Sequence, residues 1–253
     1  MKKGIDVSSF KGKIEWEKVK DVEFAVIRAA KGKNTDIRFE HNYEGCKKAG
    51  IPIGVYHAVW ATDADGAADE ARYLIGVLEG KSFEYPVYID CETSAQKKLG
   101  KRTMTDIINA WLGVMADAGY TAGVYTNPSW LKNRMYEDEI NTADWWIAQW
   151  SESSKTAKRL GGMWQYSDNV QTEGIGKTDG DICYKEYGSK YYPAFTYGDH
   201  GLYDTLKKAG IDPSFTFRRK IANANGIRLY YGKASQNIYL LRLLNEGKLI
   251  RPV

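Results

Sequence analysis

The stretch Pro86-Val87-Tyr88-Ile89-Asp90-Cys91-Glu92-Thr93 sets two carboxyl groups two residues apart at the end of an apolar run. Side chains alternate between the faces of a strand, so Asp90 and Glu92 are expected to emerge on the same side. Like charges held that close oppose each other's ionisation and push one pKa up. An acid that keeps its proton beside one that loses it is the pair that glycoside hydrolysis requires. One protonates the leaving oxygen, and the other faces the oxocarbenium charge that develops. Two other readings use the same residues: Glu92 lies in a solvated loop, or the acids hold Mg²⁺ or Ca²⁺.

Two further acids stand at strand ends, Asp6 in Gly4-Ile5-Asp6-Val7-Ser8 and Asp181 in Asp181-Ile182-Cys183. Competing chemistries lack their signatures. There is no GxxxxGK[ST] phosphate loop, no HExxH zinc helix and no GxSxG nucleophile elbow. His57 stands alone and reads as a structural residue. No cofactor and no metal is called for. Tyr56, Trp60, Tyr125, Trp146 and Trp150 are candidate rim aromatics whose flat faces suit sugar rings.

The elements that must position these residues alternate in type. Strands are expected at 4–8, 24–29, 51–57, 86–92 and 122–126, with three more at 145–150, 163–166 and 181–183. Helices are expected over 16–22, 37–49 (Asp36 as N-cap), 63–78, a segment opened by a Thr103-x-x-Asp106 capping box, and 128–135. Strand and helix alternate early and sparsely later. That pattern predicts an α/β fold, an irregular (β/α) barrel with an incomplete helical ring, in which active sites sit at the carboxyl ends of the strands. Asp6, Asp90, Glu92 and Asp181 then converge on one mouth.

Residues 188–200 show no periodicity and read as a linker between a barrel domain at 1–187 and a module at 201–253. In that module Leu202, Leu206 and Ala209 share one helical face and Phe217, Ile221 and Ala224 a second. A third helix, capped by Ser235, carries Ile238, Leu241 and Leu244. The module is mainly helical and contains no acid pair, which favours binding over catalysis.

Charge supports this division. The net charge of +4 conceals ten Lys/Arg against four Asp/Glu in 199–253, while the rest of the chain is slightly acidic. A basic tail on a near-neutral body suits a polyanion such as an anionic wall polymer. Cys46, Cys91 and Cys183 are odd in number and show no CxxC spacing, so buried free thiols are expected. The opening Met1-Lys2-Lys3-Gly4 has no apolar core of a signal peptide, and no run approaches a membrane span of ~20 apolar residues. Membrane insertion is not expected.

Residues 4–183 resemble glycoside hydrolase family 25, the Chalaropsis-type lysozymes common as phage endolysins. The resemblance is carried in order by Gly4-Ile5-Asp6-Val7-Ser8, Asp36-x-x-Phe39-x-x-Asn42, Gly54-Val55-Tyr56-His57 and Tyr88-Ile89-Asp90-Cys91-Glu92. It continues through Gly123-Val124-Tyr125-Thr126-Asn127, Trp146-Ile147-Ala148-Gln149-Trp150, Trp164-Gln165-Tyr166 and the late Asp181. It implies cleavage of the β-1,4 bond from N-acetylmuramic acid to N-acetylglucosamine in peptidoglycan, with Glu92 as general acid/base. Asp90 then stabilises an oxazolinium or acts as nucleophile, Asp6 and Asp181 orient the site, and Tyr125 contacts substrate. Gln149 joins the substrate-binding candidates.

Two departures stand out. Ala30-Lys31 replaces a Thr-Glu found in many members, so the adjoining subsite is expected to differ. Asp179, two residues before Asp181, competes with it for the family's late aspartate. The tail resembles small C-terminal modules of phage endolysins through Ile221-Ala222-x-Ala224-Asn225-Gly226-Ile227 and the closing run at 243–250, which implies wall binding. The implied setting is synthesis in a host cytoplasm and action on a wall, of Gram-positive type, after release; nucleic acid is not an expected partner. A chitinase-like barrel hydrolase competes, but Pro86 and Tyr88 occupy the positions where that family needs upstream acids. A catalytically silent wall-binding protein is the other alternative.

Overall fold

The structure, a computed structural model, describes residues 1–142, 144–150, 154–185, 187, 191–192 and 194–252. The chain forms two compact units, Met1–Gly188 and Ser189–Val253.

The first unit contains nine strands: β1 (Lys2–Val7), β2 (Phe24–Lys31), β3 (Asn34–Thr35), β4 (Ile53–Ala58), β5 (Val87–Asp90), β6 (Ala122–Thr126), β7 (Asp144–Ala148), β8 (Met163–Thr172) and β9 (Gly176–Cys183). Pairing runs β1-β9-β8-β7-β6-β5-β4-β2, and β1 pairs with β2, which closes an eight-stranded barrel; β3 is a short appendage on β2. Helices α1 (Phe39–Ala49), α2 (Ala64–Leu78), α3 (Lys101–Asp117), α4 (Pro128–Asn133) and α5 (Lys155–Leu160) cover part of the outside. The α/β barrel with an incomplete helical ring is therefore present. Single 3-10 turns stand between β1 and β2, and β8 turns directly into β9.

The two-residue strand period sorts side chains into two cores. Ile5, Val7, Ala25, Ile27, Ile53, Val55, Val87, Ile89, Val124 and Ile147 face outward and pack with Leu74, Ile107, Trp111 and Met115 of the helices. The alternate residues Phe24, Val26, Tyr88, Trp146, Met163 and Cys183 fill the barrel interior. That interior is crowded with rings, and glycines make room for them. A Cβ on Gly4 would lie 2.4 Å from the Phe24 ring, and one on Gly123 2.5 Å from that of Tyr88. At the closed end Asp144 is buried but paired: Tyr88 OH donates to it at 2.8 Å and Lys185 Nζ at 2.5 Å.

Several expectations need correction. Residues 16–22 form only a 3-10 turn at Trp16–Lys18, because Trp16 is drawn inward to donate from Nε1 to Asn42 Oδ1 at 3.1 Å. Asp36 does not cap α1, whose N-cap is Arg38. Its carboxylate instead accepts from Arg28 Nε at 2.7 Å and from the Arg38 and Ser9 amides. Thr103-x-x-Asp106 is not a capping box: α3 begins at Lys101 behind Gly100, so Thr103 is already helical. The last two strands are longer than expected and antiparallel to each other, and β9 also runs against β1. Asp181 is thus carried in from the opposite direction to Asp6.

The second unit packs α6 (Leu202–Lys208), α7 (Phe215–Ala224) and α8 (Ala234–Asn245) around Leu206, Ile221, Ala222, Leu240 and Leu244. The third helix begins behind Lys233 rather than Ser235, and Ile238 points to solvent while Leu240 is buried. The expected linker is also shorter than 188–200. Tyr192 lies in this core and its amide donates to Leu249 O at 2.7 Å, Phe195 N bonds Leu244 O, and Tyr191 bridges Ile250. Residues 188–190 and 193 of that stretch lie outside the described residues.

Candidate active site

The interior positions just above the ring-filled layer carry the polar groups. Along β1 Asp6 follows Gly4, along β5 Asp90 follows Tyr88, along β6 Tyr125 follows Gly123, and along β8 Gln165 follows Met163. Each step is one strand period, so all four side chains enter the barrel at its open end. A cavity of about 240 Å³ opens there, and Asp6, Asp90, Glu92, Asp168 and Asp179 all contribute to its wall. Tyr56, Tyr125, Trp146, Trp150 and Gln165 complete it.

Strand β5 ends at Asp90, so Glu92 stands on the following loop, exposed at the mouth, yet it still lines the same cavity. The loop after β6 supports it: Asn127 Nδ2 reaches Glu92 Oε1 at 3.5 Å while Asn127 Oδ1 accepts from the Trp130 amide and caps α4. Below Glu92, Asp90 Oδ1 is buried and has no hydrogen-bond partner among the described residues. Buried acceptors without donors are rare, and a catalytic role is one of the explanations they call for.

Gln165 joins the two sides of the site. Its Nε2 donates to Asp6 Oδ2 at 2.8 Å, and its Oε1 accepts from Tyr125 OH at 3.0 Å and Trp150 Nε1 at 3.1 Å. Asp6 also lies within hydrogen-bond reach of Asp181 and Asp179, contacts that need a shared proton. Asp181 is fully buried one step deeper, opposite Gly4, where Trp146 Nε1 donates to its Oδ1 at 2.7 Å.

Electrostatics follows from this burial. Desolvation, reinforced by the charge of Asp179, pushes Asp6 up to about 7. Asp90 lies well above the carboxylate range, through burial first and then the charges of Glu92 and Asp6, with Arg28 opposing. Burial raises Asp181 likewise, then the charge of Asp6. Glu92 is raised by desolvation against the pull of Asn127 and Lys97, and Asp179 by desolvation against Lys11. Burial therefore favours the protonated form of each of these carboxyls. Arg28, committed to Asp36 and to Ser9 Oγ at 2.9 Å, is the cation that favours charge on Asp90.

Among the expected site residues, Asp6, Asp90, Glu92, Tyr56, Tyr125, Trp146 and Trp150 come together in this cavity. Trp146 is part of the interior rather than a free rim platform, packed edge-on to Tyr125 at 4.5 Å. Asp181 lies beneath the cavity wall, and Asp179 takes the lining position. Trp60 is outside the cavity, exposed beneath the Lys31 ammonium at 4.7 Å; the Ala30-Lys31 departure thus sets a cation on that ring. Gln149 is also outside: β7 ends at Ala148, the Gln149 amide donates to Gln165 O and its carbonyl accepts from Trp164 Nε1. Gln165 and Asp168 were not singled out as site residues from sequence, and Asp179 only as a competitor of Asp181 for the late aspartate; the two-residue period along β8 is the signal that points to Gln165. His57 is structural, accepting from Trp111 Nε1 at 3.2 Å and donating to Gly32 O at 2.8 Å, and burial lowers it to about 4. Cys46, Cys91 and Cys183 are free and buried.

Residues 5–175 match the family model described as Glycosyl hydrolases family 25, more than half of the chain, and the chain belongs to that family. It is 28% identical over 183 residues to an autolytic lysozyme of Clostridium acetobutylicum, covering 71% of this chain and 55% of that protein. It is likewise 28% identical over 193 residues to a lysozyme of Streptomyces globisporus, covering 71% of this chain and 65% of that one. Among solved structures, the modular autolysin LytC of Streptococcus pneumoniae, in complex with a synthetic peptidoglycan ligand, superposes with a TM-score of 0.65 at 28% identity. That match covers 72% of this chain and 46% of LytC. The chain thus spans about half to two thirds of the length of these relatives.

Proposed function

We propose that the first unit is an N-acetylmuramidase that hydrolyses the β-1,4 bond between N-acetylmuramic acid and N-acetylglucosamine in peptidoglycan. The observation that carries this reading is the Asp90–Glu92 pair at the cavity, one member exposed and one deeper with an unpartnered buried oxygen. Its relatives named lysozyme and autolysin support the same substrate.

Glu92 is the general acid. Its carboxyl O–H protonates the glycosidic oxygen as the C1–O bond breaks, and the carboxylate so formed takes a proton from the water that later attacks C1. Asp90 Oδ1 is an acceptor awaiting a donor, and the acetamido N–H of the muramyl sugar is such a donor. That contact favours the Asp90 anion, whose charge in turn favours the protonated form of Glu92, and lets the acetamido oxygen close on C1 as an oxazolinium. Asp6 and Asp181, tied through Gln165 and Trp146, hold the floor, and Tyr125 and Trp150 face the sugar.

The second unit is a wall-binding module, and the chain acts in the manner of an endolysin, made in a host cytoplasm and reaching a Gram-positive wall after release. Its balance of +6 over 199–253 supports contact with anionic wall polymers. Parallel assays on purified wall and on chitin oligosaccharides test the reading. Wall hydrolysis without chitin hydrolysis is expected; chitin hydrolysis without wall hydrolysis would replace it with the chitinase-like alternative.

A further inference from the structure

Between Asp212 and Glu246 the chain carries six Lys/Arg and no Asp or Glu. This stretch contains α7, α8 and the connection 225–233 between them. One ring anchors that connection: Tyr230 is 4% exposed, accepts from Arg218 Nη1 at 3.1 Å and donates to Asn237 Oδ1. On either side of the anchor, Leu229 and Tyr231 are 69% and 64% exposed. Leaving such residues in water does nothing for folding.

The backbone that presents them is nevertheless fixed. Gln236 accepts from the Tyr231 and Lys233 amides at 2.9 and 3.2 Å and donates to Leu229 O at 2.7 Å, while Asn237 donates to Gly232 O at 3.1 Å. Four side-chain bonds to one short segment hold apolar groups outward in a set geometry, which lowers the ordering cost of binding.

The surface continues past this loop. Phe215, about half exposed, packs on Tyr230 with centroids 5.6 Å apart and lies 3.3 Å from where a Cβ on Gly232 would be. The Arg218 guanidinium sits 6.0 Å from the Phe215 ring and 5.9 Å from that of Tyr203, also about half exposed. Lys233 Nζ lies 5.8 Å from the Tyr231 ring. Two groups of rings and cations, Tyr203–Arg218–Phe215 and Tyr231–Lys233, thus adjoin at Gly232 and make one strip.

We propose that this strip binds a phosphate-bearing sugar polymer of the bacterial wall, with sugar faces on the rings and phosphates on the cations. The inference rests on the wall-binding reading of the second unit and assigns its site and ligand. Aromatic rings give the flat, amphipathic contact a sugar face requires, and the absence of any carboxylate over this stretch selects an anionic chain over a neutral one.

The test uses the full chain carrying Glu92→Gln, so that wall is not digested, with and without Phe215→Ala plus Tyr231→Ala. Both rings are solvent-facing, and circular dichroism checks that the fold persists. Binding is measured on purified Gram-positive wall before and after hydrofluoric acid strips its phosphate-bearing polymers. The parent chain is expected to bind intact wall at least about ten-fold more tightly than stripped wall, and the double variant to lose about ten-fold on intact wall, each equivalent to roughly 1.4 kcal/mol. Equal binding of the double variant and parent overturns the strip while leaving the wall-binding reading in place. Equal binding to stripped and intact wall overturns the phosphate polymer as ligand. A parent chain retained on neither wall overturns both readings.

Discussion

Gln165 Nε2 donates to Asp6 Oδ2 at 2.8 Å, joining the first strand of the barrel to the eighth across 159 residues of sequence. Both side chains are buried, and the bond exists because β9 lies between their strands and closes the sheet. It fixes Asp6 on one side while Asp179 and Asp181 crowd it on the others.

That crowding gives Asp6 a pH signature. Its carboxyl is pushed up to about 7, whereas an unfolded aspartate titrates near ~3.9, so between these values the folded chain holds the extra proton. The stability this contributes is complete below about pH 4 and is lost as pH rises through about 7. Asp6→Asn keeps an acceptor for Gln165 and has no charge to bury. Its melting temperature is expected to exceed that of the wild type at pH 8, with the gap closing toward pH 4. A variant less stable than wild type at pH 8 would contradict the assigned electrostatics.

Glu92→Gln is expected to fold normally and to lose at least ~10²-fold in turnover on purified wall, since an amide cannot supply the proton the leaving oxygen needs. A variant keeping a third of wild-type turnover would remove Glu92 from the acid role.

Asp90→Asn replaces the acceptor at the buried Oδ1 position with a group that cannot carry charge. Most activity is expected to disappear, and wild-type activity is expected to survive EDTA. Activity abolished by EDTA and restored by Mg²⁺ would instead assign the acids to a cation.

Much of this site was legible because strand alternation is a strict code. Asp6, Asp90, Tyr125 and Trp146 follow from it directly, and Glu92 continues the same spacing past the strand end. Gln149 and Gln165 sit in similar Trp-rich motifs, but Gln149 is three residues from inward Trp146 and Gln165 two from inward Met163, so only Gln165 enters the barrel. The code fails where a strand turns. The β8–β9 hairpin reverses direction, which sequence periodicity does not reveal, and it places Asp179 rather than Asp181 on the cavity wall. Tyr192 and Phe195 looked like linker because they join the second core through isolated backbone bonds rather than a repeating face.

Those contacts also move the boundary for truncation. A chain ending at Tyr187, which packs on Tyr85 at 5.2 Å, keeps the whole barrel. It is expected to hydrolyse soluble wall fragments at the full-length rate and to be slower on intact cells, where loss of a tethered module forfeits avidity that can reach ~10²–10⁴. Equal rates on intact cells would show that the second unit does not serve wall binding.

The chemistry of the sugar released from wall tests the central claim most directly. Purified peptidoglycan is digested with the full chain, the new reducing ends are reduced with borohydride, and the fragments are hydrolysed and identified by mass spectrometry. The account predicts muramitol, from cleavage on the reducing side of N-acetylmuramic acid. Glucosaminitol in its place would mean that the bond on the other side of the sugar is cut, and would contradict the account.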